Sequence, residues 1–167
     1  QSAFVLLERA LKDAPDNTDL LYDYAMLAEK IDRLDVLESS LRKVIALRPD
    51  NAHAYNALGY WLADTTNRLD EAETLIEKAL SLSPDDAYII DSMGWLQYRR
   101  GRNERAIALL ERAYRIKADP EIGAHLGEVY WVSGKRDKAE LVWRAAHDRD
   151  PENETLAQTL ARYTVKF

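Results

Sequence analysis

The side chains of this sequence that could perform acid–base or covalent chemistry are scattered. Its three histidines, His53, His125 and His147, fall in separate segments, without the i, i+4 spacing by which one helix presents two ligands to a metal. Cysteine is absent, which removes thiol and disulfide chemistry, and no glycine-rich loop of the phosphate-cradling kind is visible. Carboxylates are plentiful, but charge spread over helix faces is solvated and nominates no acid/base pair. No catalytic residue, cofactor-binding residue or metal ligand is assigned, and no enzyme is expected. What remains is the chemistry of noncovalent recognition. Tyr60, Tyr88, Trp95, Tyr98 and Trp131 are rigid aromatics with a polar tip, the type that anchors protein interfaces.

The elements that must position these side chains follow from a period. Pro15, Pro49 and Pro84 are separated by 34 and 35 residues, and Pro151 follows 67 residues later, two periods on. Of the 167 residues 47% are hydrophobic and 31% charged, helix formers dominate, and no segment alternates with the period of two that marks strands. The reading is all-α: helix-turn-helix units that cannot bury their apolar faces alone and must stack into a solenoid. A net charge of −6 argues against a nucleic-acid partner, and no stretch approaches the apolar length that a membrane-spanning helix needs. Neither feature fixes a compartment.

Small residues recur within the units. The unit 52–86 carries Tyr55, Leu58-Gly59, Leu62, Ala72, Ile76, Ala79 and Pro84; 87–119 carries Ile90, Met93-Gly94, Ala106, Leu110 and Ala113; and 120–153 carries Leu126-Gly127, Tyr130, Ala139, Trp143, Ala146 and Pro151. Gly59, Gly94 and Gly127, with Ala72, Ala106 and Ala139, let paired helices approach closely where they cross. The unit 18–51 is degenerate, with Ala25 in place of Gly and Leu37 in place of Ala, and its pair is expected to pack less closely. Residues 1–17 read as the second helix of a repeat whose first helix is missing, so the chain is expected to be a piece of a longer protein. Residues 154–167 read as a capping helix and tail, with Leu156, Ala157, Leu160 and Ala161 on one stripe. Gly101 and Gly134 mark tight turns. Pro120 opens its unit instead of closing the previous one, so the connection from Lys117 should be one residue shorter than its neighbours.

This pattern resembles the tetratricopeptide repeat over essentially the whole chain. The resemblance implies one right-handed superhelical domain of about four repeats plus an N-terminal orphan helix and a C-terminal capping helix. It also implies a non-catalytic scaffold or adaptor that binds a peptide or helix of a partner protein in its concave groove. Self-assembly into homo-oligomers, or service as an accessory domain of a larger enzyme, are the alternatives. Opposite the core stripe of each first helix lie the groove candidates: Tyr22, His53, Asn56, Tyr60, Tyr88, Asp91, Trp95, Tyr98, Glu128 and Trp131, with Arg99 free to pair with Asp91 or a ligand carboxylate. Trp61 and Trp143 are assigned to packing, and the histidines to surface or groove. The carboxylate clamp of chaperone-binding members is not expected, since Tyr22, Met26, Ala57, Tyr88 and Ser92 hold its positions. Runs such as Asn56-Ala57-Leu58-Gly59-Tyr60 and Asp91-Ser92-Met93-Gly94-Trp95 further resemble the C-terminal arm of large proteobacterial repeat lipoproteins. That likeness implies a bacterial protein tethered to the outer membrane on its periplasmic side.

Overall fold

Each of five helices begins at an Asn or Asp whose side chain accepts from the backbone N–H groups of the first turn. Asn17, Asn51, Asp86, Asp119 and Asn153 do so for α2 (Thr18–Glu29), α4 (Ala52–Thr65), α6 (Ala87–Arg99), α8 (Pro120–Val132) and α10 (Glu154–Tyr163). This satisfies donors that an α-helix leaves orphaned at its start. Between them run α3 (Leu34–Leu47), α5 (Leu69–Leu82), α7 (Asn103–Ile116) and α9 (Arg136–Arg149), preceded by α1 (Ala3–Asp13). The computed structural model describes residues 3–167. Among these the chain is ten helices with no strand, and no helix is long and apolar enough to cross a membrane.

The helices pair as the small residues require. A Cβ on Gly59 would come within 2.7 Å of Ile76, one on Gly94 within 2.7 Å of Leu110, and one on Gly127 within 2.1 Å of Trp143. Two of the turns inside the pairs use a left-handed glycine, Gly101 at φ 72° and Gly134 at φ 78°. In the degenerate unit Asp32 takes that role at φ 57°. The connection from α7 to α8 holds three residues where the corresponding ones hold four, as Pro120 at the first helical turn requires.

The core runs along the stack as three clusters of buried residues, bridged by the half-buried Leu80, Leu109 and Tyr114. Leu37, Leu58, Leu62, Ile76, Ile89, Leu96, Leu110 and Trp143 are fully buried, and Trp61 nearly so, in keeping with the packing role of both tryptophans. In the degenerate pair Ala25 and Leu37 are both fully buried, and α2 and α3 touch less extensively than the helices of the other pairs. The first helices α4 and α6, α6 and α8, and α8 and α10 touch one another, whereas α2 and α4 make no comparable contact. Leu37 fills space at the resulting recess. The ends are looser: α1 buries no residue, although Phe4 stacks on Tyr24 with centroids 4.6 Å apart. On α10 the buried residues are Leu156, Thr159 and Leu160, while Ala157 and Ala161, expected on the packed stripe, face outward. The packed stripe is Leu156, Thr159, Leu160 and Tyr163 at i, i+3, i+4 and i+7, and the Thr159 hydroxyl donates to the Thr155 carbonyl at 2.9 Å, so it is buried without an orphaned donor.

Candidate functional site

Because first helices touch first helices, their side chains at successive 34-residue positions meet on one face of the stack. His125 of α8 shows the consequence. Its Nδ1 lies 2.8 Å from the Asp91 carboxylate on α6 and its Nε2 lies 3.2 Å from the Tyr60 hydroxyl on α4. The Trp95 ring stacks on the imidazole at 4.4 Å between centroids. The Trp95 indole N–H donates to Asp64 at 2.9 Å. Further along, Glu128 accepts from Arg162 at 2.8 Å and from the Tyr163 hydroxyl at 3.1 Å, both contributed by α10. One ladder of side-chain contacts thus ties α4, α6, α8 and α10 together.

Around the ladder two recesses open and share Glu29, Tyr60 and Glu121, so they form one groove. The first is walled by Met26, Ala57, Tyr60 and Tyr88, with Asn56, Asp91 and Ser92 among its polar groups. The second, about 770 Å³, runs from Glu29 and Asp64 past Trp95 and His125 to Glu154 and Gln158 on α10.

The predicted site residues divide between these places. Asn56, Tyr60 and Asp91 line the first recess, with the Asn56 Oδ1 buried and lacking a hydrogen-bond partner. Tyr88 stands at its rim, 38% exposed, its hydroxyl donating to Asp119 at 2.8 Å and its ring covered by the Lys117 ammonium at 4.5 Å. Tyr22 and His53 lie apart, on a shallow surface between the starts of α2 and α4. Asp91, Trp95 and Glu128, read as open groove residues, are buried, because the next repeat covers each of them. Tyr98 is half-buried against Trp95, with centroids 4.9 Å apart. Trp131 is likewise packed, held between Trp143 at 5.5 Å and Tyr163 at 5.8 Å with the Arg136 guanidinium over its ring. Arg99 does not pair with Asp91; it donates to the Asp64 backbone carbonyl. The open aromatic surface is therefore smaller than the sequence suggests, since neighbouring repeats use most of it as packing.

Further residues line the groove beyond the predicted set, among them Glu29, Asp64 and Glu121, and His125, assigned to surface or groove, is buried in it. Asp64 was overlooked because it looks like a solvated polar position when one unit is read alone. Two spacings carry the signal: Asp64 stands four residues after Tyr60 on the same helix face, and His125 stands 34 after Asp91, one period on.

The electrostatics follow from the geometry. Burial works against a charged imidazole, but the Asp91 carboxylate, its hydrogen bond, and Glu121 and Asp64 outweigh it and raise the His125 pKa above its ordinary value. Burial pushes the Glu121 carboxyl up; His125 pulls the other way, and Asp91, Asp119 and Glu29 add to the rise. Glu29 is raised by burial and then by Asp64, with Lys30 opposing. Both ring nitrogens of His125 are engaged and its side chain is buried, so it holds the face together and offers no free base. Among the described residues no group of three or more His, Asp or Glu is disposed to hold a metal ion.

Comparison with known proteins agrees with this architecture. Residues 52–86 and 89–123 each match the tetratricopeptide repeat family. Over 128 residues, 77% of the chain, it is 46% identical to the TPR repeat-containing protein PA4667 of Pseudomonas aeruginosa, of whose length it spans only 22%. In three dimensions it superposes on TTC0263, a thermophilic TPR protein of Thermus thermophilus, with a TM-score of 0.83 and 25% identity, over 96% of this chain and 88% of the other. YrrB, a TPR protein with an unusual peptide-binding site, shares the fold at a TM-score of 0.62 and 20% identity, over 98% and 84% of the two chains. Sequence matches, paired helices and neighbouring structures agree: residues 52–86 and 89–123 are tetratricopeptide repeats, and the chain as a whole folds as a helical solenoid like those of tetratricopeptide-repeat proteins.

Proposed function

We propose that the chain is a non-catalytic scaffold whose concave groove takes a peptide or helix of a partner protein. The observation that carries this reading is the continuous groove over α2, α4, α6, α8 and α10, with Met26, Ala57, Tyr60 and Tyr88 as its apolar wall. Such a surface offers aromatic area for burial and polar groups for orientation, the features of helix-in-groove and extended-peptide recognition. Trp95 and Trp131 are poor probes of it, because Trp95 is buried under His125 and half-buried Trp131 packs on Trp143 and Tyr163, so truncating them changes packing as well as surface. Ala57→Trp is suitable, since Ala57 is partly exposed in the first recess and a larger side chain fills the groove from within. Peptides selected from a random library on the wild-type protein should lose binding to Ala57→Trp while its melting temperature is unchanged. Equal binding to both would end the groove reading.

The resemblance to outer-membrane repeat lipoproteins supports a site of action on the periplasmic face of that membrane. Fractionation of cells carrying the full-length protein tests it, and recovery in the cytosol would remove it.

A further inference from the structure

Some acids on and beside the second helices are held by arginines, largely across repeats, while others there, Glu77 and Glu140 among them, form no ion pair among the described residues. Glu38 and Glu71 are held by Arg42 and Arg68 at 2.5 to 2.9 Å, Asp70 and Glu73 by Arg100 at 2.7 and 2.8 Å, and Asp85 pairs with Arg112. In the groove only Asp91, with His125, and Glu128, with Arg162, have such a partner. Among the described residues Glu29, Asp64 and Glu121 form no ion pair. Yet all three line the same recess as Tyr60. The second recess is lined by Glu29, Asp32, Asp64, Glu121, Glu128 and Glu154 against Lys30 and Arg162 as its permanent cations.

This is a groove with an apolar wall and an excess of negative charge that the chain itself leaves uncompensated. Folding alone does not favour such an arrangement, because like charges brought together in a half-buried space repel. Charge complementarity selects the occupant. Resting on the groove reading above, we infer that the partner segment is basic, placing a Lys or Arg side chain between Glu29, Asp64 and Glu121 with its aliphatic stem along the Tyr60 ring. Arginine suits the place best: its planar guanidinium stacks on an aromatic ring and donates to several carboxylates at once. An acidic segment, or a free C-terminal carboxylate, is repelled by the same groups.

The test uses fluorescein-labelled peptides in which leucine alternates with arginine, glutamine or glutamate, measured by fluorescence anisotropy. The arginine peptide should bind at least ~10-fold more tightly than the glutamine peptide, and the glutamate peptide should not bind. The double variant Glu29→Gln, Glu121→Gln should lose about 10-fold for the arginine peptide, whereas Glu77→Gln, Glu140→Gln, with the same net charge change on the exposed side of α5 and α9, should change it less than about twofold. Equal losses in the two double variants would mean attraction to net charge alone and overturn the inference. If the glutamine peptide binds as well as the arginine peptide and Ala57→Trp abolishes both, the groove stands and its basic preference is wrong. If no peptide responds to Ala57→Trp, the groove itself is wrong and the preference falls with it.

Discussion

The imidazole of His125 on α8 lies 2.8 Å from the carboxylate of Asp91 on α6, and both side chains are buried. The pair joins two consecutive repeats at the residues one period apart, so its charge state is coupled to the stacking of the solenoid.

That coupling predicts a pH dependence. The folded-state pKa of His125 is raised, so the folded chain holds this proton more tightly than the unfolded chain does. The resulting stability is fully present below the ordinary imidazole value of about 6.5 and is lost as pH rises through the folded value. Asp91, Tyr60, Glu121 and Asp64 all face the ring, and Tyr60 keeps its proton throughout this range because burial and the nearby carboxylates raise it. Thermal melts from pH 6 upward should show the wild type losing stability relative to His125→Gln. A constant difference between the two would refute a charged pair.

Glu121 predicts the opposite behaviour for a groove acid. Its raised pKa means that ionisation is disfavoured in the folded state, so its unfavourable contribution is absent below the ordinary glutamate value of about 4.3 and grows as pH rises through the folded value. At pH 7, Glu121→Gln should therefore melt higher than the wild type, by about 1–2 °C if the gain is near 0.5 kcal/mol. The advantage should vanish near pH 4. Stabilisation by loss of a groove carboxylate, paired with weaker binding of basic peptides, is the signature of a residue kept for binding at a cost in stability.

The close helix crossings are the most sharply testable part of the fold. A Cβ at Gly127 would stand 2.1 Å from the Trp143 indole nitrogen, and Trp143 is fully buried with its N–H on the Ala124 carbonyl at 3.2 Å. It has no room to retreat. Gly127→Ala should cost about 3 kcal/mol, at the upper end for overpacking, and Gly94→Leu more, against Leu110. At Gly101 nothing lies within 4 Å and only the positive φ is at stake, so Gly101→Ala should cost about 1 kcal/mol. Denaturant titrations of the three variants rank them; a Gly101 variant worse than Gly127→Ala would contradict the packing argument.

These residues also mark what the sequence could and could not reveal. Gly59, Gly94 and Gly127 announce the helix pairs because a fixed spacing of small residues has one physical use in stacked units, and Pro120 announces its short connection for a similar reason. The groove was harder to read. Helical periodicity placed Trp95 and Trp131 on the face opposite the core stripe, which is correct within a single unit. The neighbouring repeats then cover them, Trp95 by His125 and Trp131 by Tyr163. Burial between units depends on how the helices stack, and that information is not contained in the pattern of any one unit.

The terminal helix gives the last prediction. Glu128 is 3% exposed, and α10 supplies the hydrogen-bond donors that reach it, Arg162 and the Tyr163 hydroxyl. Leu156, Thr159 and Leu160 dock the same helix against α8 and α9. Removing the cation leaves a buried carboxylate with neutral donors alone, which costs more than the ion pair itself contributes because the charge stays desolvated. Arg162→Met should destabilise the C-terminal end by about 1–3 kcal/mol, while Glu128→Gln with Arg162→Met should recover part of the loss. In a repeat array such a defect stays local, since each unit contacts only its neighbours. Hydrogen exchange should therefore quicken over α10 and the adjoining turn of α8 and remain unchanged over α2 to α5. Uniform quickening along the chain would show instead that the stack unfolds as one unit, and that the Glu128 contacts hold more than the cap.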